Sequence, residues 1–272
     1  MNILVCVKQV PNTQEISIDP VTNTLIRDGV ESIVNPYDGY ALEAAARLKD
    51  KNKDIKIYVL CMGPPQAEAA LRECLGIAAD MAYLASDRFF AGSDTLATSY
   101  ILSQAIKRIE DLEGIKFDMI FCGKQAIDGD TAQVGPQIAE CLGYPQVTYG
   151  LTCECKGDEL HVFKETEEGK EVIAIKFPCV ITFTKPNFEP RFVSAKRRFA
   201  AKKMEIGKIS VDDLEGIDRE KIGLKGSPTQ VRKTFVPEVK KGGVIFKEGP
   251  LEESAHKLAG LLVENKILTN IE

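Results

Sequence analysis

The sequence predicts an α/β protein built on a doubly wound, mostly parallel sheet, with an antiparallel β ribbon and a C-terminal helical arm. Three observations carry this. Up to residue 142, short apolar runs alternate with stretches of helical periodicity, the pattern of a parallel sheet covered by helices on both faces. From Val147 the texture changes to period-two alternation, broken by Lys156-Gly157-Asp158 and Glu167-Glu168-Gly169-Lys170, which reads as antiparallel strands with tight turns. Beyond residue 205 the chain turns polar and irregular until a last apolar stripe. The expected division is an α/β domain over 1–205, with the ribbon at about 148–176, followed by a linker and arm over 206–272.

Taken in order, residues 2–7 form the first strand. Two alternating pieces follow at 15–18 and 24–26, separated by Asp19-Pro20-Val21-Thr22-Asn23, and read as a hairpin flap. Asn35 ahead of Pro36 is a helix-start signal, and Leu42, Ala45, Ala46 and Leu48 give that helix its apolar side. Residues 55–61 are the next strand. Met62-Gly63-Pro64-Pro65 turns into a helix that buries Ala69, Ala70, Leu71 and Leu75. A short strand at 81–84 leads to Ser93-Asp94-Thr95, which offers caps for a helix through Ile101, Leu102, Ala105, Ile106 and Ile109. Residues 117–122 make a buried strand, and Val134, Ile138, Ala139 and Leu142 share one face of the helix after it. Three alternating strands and one apolar strand, 177–183, follow. At the end, Pro250 opens a helix whose stripe is Leu251, Ala255, Leu258, Leu261, Leu262 and Ile267; such a helix after a loose linker reads as an arm that grips a partner.

Composition narrows the function. The chain has 272 residues, 44% hydrophobic and 28% charged, ordinary for a globular protein. A net charge of -5 argues against a general nucleic-acid binder. No apolar run reaches the roughly 20 residues of a membrane span, and no basic segment precedes the first strand as a signal peptide would, so a cytoplasmic location is expected. The eight cysteines are scattered, and Cys153 and Cys155 lack metal-ligand spacing, so reduced thiols are expected. Two histidines make a His-based triad or multi-His zinc site a poor expectation. With no nucleophile–base pair, metal cluster or carboxylate pair standing out, no catalytic residue is assigned; a bound cofactor would do the chemistry.

The stretch around which the chain is organised is Gly123-Lys124-Gln125-Ala126-Ile127-Asp128-Gly129-Asp130-Thr131-Ala132-Gln133-Val134-Gly135-Pro136. It joins a buried strand to a helix, and ligands of open α/β sheets sit at such strand ends. Its glycines allow close backbone approach, Thr131 can cap the helix, and the N–H groups behind it face an arriving anion. The loops after Val7, at Asn35, after Cys61, at Ser93 and at Gly123 converge at one end of the sheet, where one nucleotide can touch all five.

This loop resembles the nucleotide-binding loop of electron transfer flavoprotein beta subunits, and the run from Val162 to Thr182 resembles that family's second signature. The resemblance spans nearly the whole chain. It implies a Rossmann-like, adenine-nucleotide-binding fold, a heterodimer with an alpha subunit reached by the C-terminal arm, and an Asn-Pro loop against the adenosine. It further implies that the basic stretch from Glu189 to Lys203 docks an acyl-CoA dehydrogenase. Val34-Asn35-Pro36-Tyr37-Asp38-Gly39-Tyr40, Asp87-Arg88 and Ser93-Asp94-Thr95-Leu96-Ala97-Thr98-Ser99 resemble the electron-bifurcating branch. There the nucleotide is FAD, NADH is the donor, and the acceptors are ferredoxin or flavodoxin and the dehydrogenase. Ordinary members hold AMP in the same loop. A stand-alone ATP-binding module of the same fold is a third reading, against which the C-terminal helix argues. The candidate cofactor contacts are Cys6, Asn35, Pro36, Tyr37, Asp38, Met62, Arg88, Asp94, Thr95, Ala97, Thr98, every residue from Gly123 to Pro136 in the loop above, and Gln137.

Overall fold

The computed structural model describes residues 1–12, 32–232, 243–246 and 249–268. It divides into two compact units, Met1–Lys233 and Thr234–Glu272. The first contains a nine-stranded sheet in the order β11-β5-β4-β1-β6-β10-β7-β8-β9. The strands are β1 (Asn2–Val7), β4 (Lys56–Met62), β5 (Met81–Ala85), β6 (Met119–Gly123), β7 (Gln146–Lys156), β8 (Glu159–Thr166), β9 (Gly169–Lys176), β10 (Cys179–Phe183) and β11 (Ile206–Ile209). All pairings from β11 to β7 are parallel; β7, β8 and β9 pair antiparallel and carry the expected ribbon outward from the sheet. A separate two-stranded pair joins β2 (Gln9–Pro11) to β3 (Ser32–Val34). The hairpin flap expected at 15–18 and 24–26 lies outside the described residues.

Alternation along the strands splits the core into two layers. Ile3, Val5 and Val7 of β1 and Ile57, Val59 and Cys61 of β4 face helices α1 (Pro36–Lys51) and α2 (Glu68–Ile77). Leu4, Cys6, Tyr58 and Leu60 face α3 (Thr95–Glu113) and α4 (Val134–Leu142). A doubly wound sheet follows from this pattern, because strands buried on both faces must be apolar at nearly every position. The direction of winding reverses at β1: β4 and β5 build outward on one side, and α3 then carries the chain to β6 on the other. That reversal leaves a crevice at the carboxyl ends of β1 and β6.

The sequence reading holds for the helix starting at Pro36 and for the cap at Asp94, whose carboxylate accepts the Ala97 N–H at 3.0 Å. Three details differ. The strand expected from Phe117 starts at Met119, because the Phe117 N–H goes to Glu110 of α3 at 3.0 Å. Thr131 does not cap α4; the cap position is Gln133, which makes no side-chain capping bond. The expected boundary at residue 205 falls just before β11, which pairs with β5 as an edge strand of the main sheet. Gly207 is required there, since a Cβ would sit 2.4 Å from the Tyr83 ring. In the second unit, α6 (Leu251–Glu264) is amphipathic and none of its side chains is buried.

Phe121 of β6 is fully buried and packs edge-on against Phe183 of β10, with centroids 4.9 Å apart. Phe121→Ala leaves a cavity between the strands that carry the crevice. The expected loss is about 3–5 kcal/mol, read as a lower denaturant midpoint at unchanged slope.

Candidate functional site

A cleft of about 410 Å³ opens at the switch point. Its floor is Cys6, Val7 and Lys8 at the end of β1 and Cys122 and Gly123 at the end of β6. Two side chains at the start of α1 hold these ends together. The buried Asp38 carboxylate accepts the Lys8 N–H at 2.7 Å and the Gly123 N–H at 3.1 Å. Asn35, 1% exposed, donates Nδ2–H to the Gln125 carbonyl at 2.8 Å and accepts the Ile127 N–H at 3.1 Å. Both ends of its amide are therefore spent on the loop, so Asn35 shapes the site rather than lining it.

The loop from Gly123 to Gln133 folds over this base. Lys124 N–H bonds the Phe183 carbonyl at 2.7 Å. The Ala126 carbonyl accepts N–H groups from Gly129 and Asp130 at 3.2 and 2.9 Å. Asp130 and Ala132 take positive φ, 51° and 53°, a conformation that costs a non-glycine residue energy and concentrates at functional loops. Gln125 ties the Asp130 carboxylate at 2.6 Å, and Lys8 pairs with Asp128 at 2.7 Å. The first turn of α4 then enters the cleft with Val134 and Gly135 on its wall and no side-chain cap. Its unpaired N–H groups and the positive end of its dipole suit an anion.

The opposite wall is the start of α3. Ser93, Asp94, Thr95 and Thr98 line the cleft, and Thr95 Oγ1 donates to Gln133 Oε1 at 2.9 Å. Asp94 is already committed. Besides Ala97 it accepts the Thr229 N–H at 2.9 Å and the Thr229 hydroxyl at 2.7 Å. Burial alone would raise its pKa, but these bonds hold the carboxyl below its usual range. The Asp94 N–H in turn bonds Ser227 Oγ at 2.8 Å, so the 222–229 segment straps this wall in place.

Of the residues expected at the site, the cleft gathers Cys6, Asp38, Met62, Asp94, Thr95, Thr98, Lys124, Gln125, Ala126, Gly129 and most of the loop on to Gly135. Pro36, Tyr37, Ala97, Ile127, Asp128, Pro136 and Gln137 stand outside its lining, as does the exposed Arg88. The sequence reading missed Val7, Lys8, Phe90, Gly92, Ser93, Leu102 and Cys122 as individual lining residues. Their signal was positional for all but Leu102, since the others stand at or near a strand end or helix start already singled out, whereas Leu102 lies two turns into α3. A second hollow of about 470 Å³ lies beside α1, but the arginines there are paired, Arg191 with Glu43 and Asp50 and Arg47 with Glu43.

A doubly wound α/β chain with a ligand cleft at its switch point, walled by a glycine-containing loop and two helix starts, defines the class. Comparison with known proteins gives the family. The electron transfer flavoprotein domain model matches residues 22–214. The electron transfer flavoprotein subunit beta of Megasphaera elsdenii is 52% identical over 98% of this chain and 100% of its own length. That of Thermoanaerobacterium thermosaccharolyticum is 49% identical over 98% and 100%. The caffeyl-CoA reductase-Etf complex subunit CarD of Acetobacterium woodii is 45% identical over 98% and 100%. The chain belongs to the electron transfer flavoprotein family, among its beta subunits. Membership implies an alpha-subunit partner.

Two outcomes test the clamp. A Cβ on Gly123 would lie 2.3 Å from Asp38 Oδ1 and 2.7 Å from the Asp38 nitrogen. Gly123→Ala is expected to splay the loop and abolish nucleotide retention, measured by cofactor content after purification. Burial pushes the Asp38 carboxyl up to about 7, against the opposing pull of Asn35, the Lys8 and Gly123 N–H groups and the Lys8 charge. The folded state thus holds a proton that the unfolded chain releases near 3.8. This group's contribution is greatest below that lower value and is lost as pH rises toward 7. The slope is at most about 1.4 kcal/mol per pH unit. Urea melts of Asp38→Asn against the natural protein should show this part of the pH dependence disappear.

Proposed function

We propose that this chain holds FAD in the switch-point cleft. With its alpha subunit it takes electrons from NADH and bifurcates them to ferredoxin or flavodoxin and to an acyl-CoA dehydrogenase, in the cytoplasm. One observation carries the reading: two helix starts, not one, converge on a single cleft. The open first turn of α4 accommodates one phosphate, and the Thr95 and Thr98 side chains on the α3 wall extend the polar surface beyond it. A diphosphate needs such an extended surface, whereas the single phosphate of AMP needs only the loop and α4. When bound, FAD would accept an electron pair from NADH and pass the electrons on singly.

The residues of this chain then have assigned work. Asp38 and Asn35 set the loop. The α4 N–H groups hold phosphate, with the exposed Thr131 in the loop just ahead of them. The apolar floor at Cys6, Met62 and Leu102 receives adenine and keeps water away from it. The reductase complex in the printed name of the Acetobacterium relative supports an acyl-CoA-type partner here. All eight cysteines are free, which fits a reducing compartment, and no described helix is long and apolar enough to cross a membrane.

The test is a cofactor count on the purified heterodimer with an anaerobic NADH titration. Two FAD per heterodimer and bleaching of the flavin absorbance by NADH are expected. One FAD with one AMP, and no bleaching, would overturn the proposal in favour of an ordinary electron-transfer member.

A further inference from the structure

The strap behind the α3 wall runs over residues 222–229, and its bonds converge on residues 91–94 of that wall. The Leu224 N–H bonds the Ala91 carbonyl at 3.1 Å, and the Gly223 N–H bonds Ser93 Oγ at 3.1 Å. Ser227, 5% exposed, accepts the Asp94 N–H, and its hydroxyl lies between the Gly223 and Gly92 carbonyls at 2.7 and 3.3 Å. The Thr229 N–H and hydroxyl both end on Asp94 Oδ2. Neither Ser227 nor Thr229 lines the cleft.

Two features set this segment apart from a packed loop. Its last apolar anchor is Ile222; from Gly223 to Thr229 no apolar side chain is buried, and Leu224 is 59% exposed. The strap is therefore held by polar bonds near the surface, the kind of contact that opens locally at small cost. Its shape is fixed all the same. Gly223 has φ of 63°, and a Cβ there would lie 2.3 Å from the Phe89 carbonyl oxygen. The bonds then lead across the cleft. Asp94 Oδ1 holds the Ala97 N–H while Oδ2 takes both Thr229 donors, and the next residue, Thr95, reaches Gln133 at the start of α4. The hydroxyls of Thr95 and Thr98 thus sit where the strap sets them.

We propose that Ser227 and Thr229 are positioning residues of the nucleotide site and govern how long the cleft keeps its ligand. They stand outside the cleft and act through Asp94. With the strap docked, the start of α3 is pinned beside α4 and the polar wall is complete. With it undocked, Asp94 Oδ2 loses two donors, the Asp94 N–H loses its acceptor, and Thr95 and Thr98 draw back from the ligand. Nucleotide leaves through the undocked form. The open N–H groups of α4 stay in place in both forms, so the strap sets the rate of release more than the choice of ligand. The inference rests on the reading that the cleft holds a nucleotide, not on whether that nucleotide is FAD or AMP.

The experiment uses the purified heterodimer. Nucleotide lost to the filtrate on repeated dilution is timed and identified by chromatography. Thr229→Val keeps the backbone N–H and the shape of an exposed side chain but removes the hydroxyl. It is expected to speed the release of one equivalent per heterodimer roughly tenfold, the effect of one lost hydrogen bond to a charged group. Thr229→Ser should keep the natural rate. Asp94→Asn should also speed release, and adding Thr229→Val to it should change little more, because the two act along one path. Amide hydrogen exchange at Ala97 and Leu224 should quicken in Thr229→Val while the β1 and β6 amides stay as they were. An unchanged release rate in Thr229→Val, or effects of the two substitutions that simply multiply, would overturn the proposal. The identity of the released nucleotide is read separately. AMP in place of FAD sinks the bifurcating reading while the rates still decide the role of the strap, and a cleft empty at the outset overturns both.

Discussion

The Asp38 carboxylate receives one N–H from the end of β1 and another from the end of β6, in a place that solvent barely reaches. Neighbouring parallel strands lose their ladder partners where they end, and each orphaned N–H must find an acceptor. A single carboxylate in the first turn of α1 satisfies two of them, and the positive end of that helix offsets part of the cost of burying it. Asn35 does the same for the loop beyond, through the carbonyl of Gln125 and the N–H of Ile127. The separation of the cleft's walls is thus set by one turn of helix. Gly123 follows as a necessity, since any side chain there would occupy the space of the carboxylate.

With the base fixed, the two helix starts that wall the cleft are finished differently. The start of α3 is closed by its own aspartate and strapped by Ser227 and Thr229. The start of α4 has no such cap, and its loop adopts left-handed conformations at Asp130 and Ala132 to reach it. A buried or half-buried helix end without a partner is costly. The donors at the start of α4 are thus left open toward the cleft, while those of α3 are largely satisfied within the chain.

Much of this was legible in the sequence, because it is local. Runs such as Asn2–Val7 and the Asn-Pro helix start follow from period and cap chemistry within a few residues. What escaped was contact between distant segments. Asn35 reads as a helix cap, yet its amide is used 90 and 92 residues away. Asp94 reads as a ligand contact, yet half its capacity goes to Thr229, 135 residues on. β11 escaped because four residues including a glycine carry no period, and only the Tyr83 ring opposite explains the glycine. The left-handed conformation of Tyr149, with φ of 61°, leaves no trace in sequence, since nothing in its neighbours other than Gly150 hints at a bulge.

The distribution of charge around the cleft connects these points. Its two lysines are Lys8, whose ammonium is bound by Asp128, and Lys124, which faces the rings of Tyr37 and Tyr149. Its acidic residues are likewise committed: Asp38 to the strand ends, Asp94 to the α3 cap, Asp130 to Gln125. No strong net field remains to draw in a highly charged triphosphate. Attraction for an anion comes instead from oriented backbone N–H groups and hydroxyls, which act at short range and demand a fitted shape. If the proposed nucleotide occupies it, a site of that kind suits one that is installed and kept by fitted geometry rather than one that is captured, hydrolysed and exchanged.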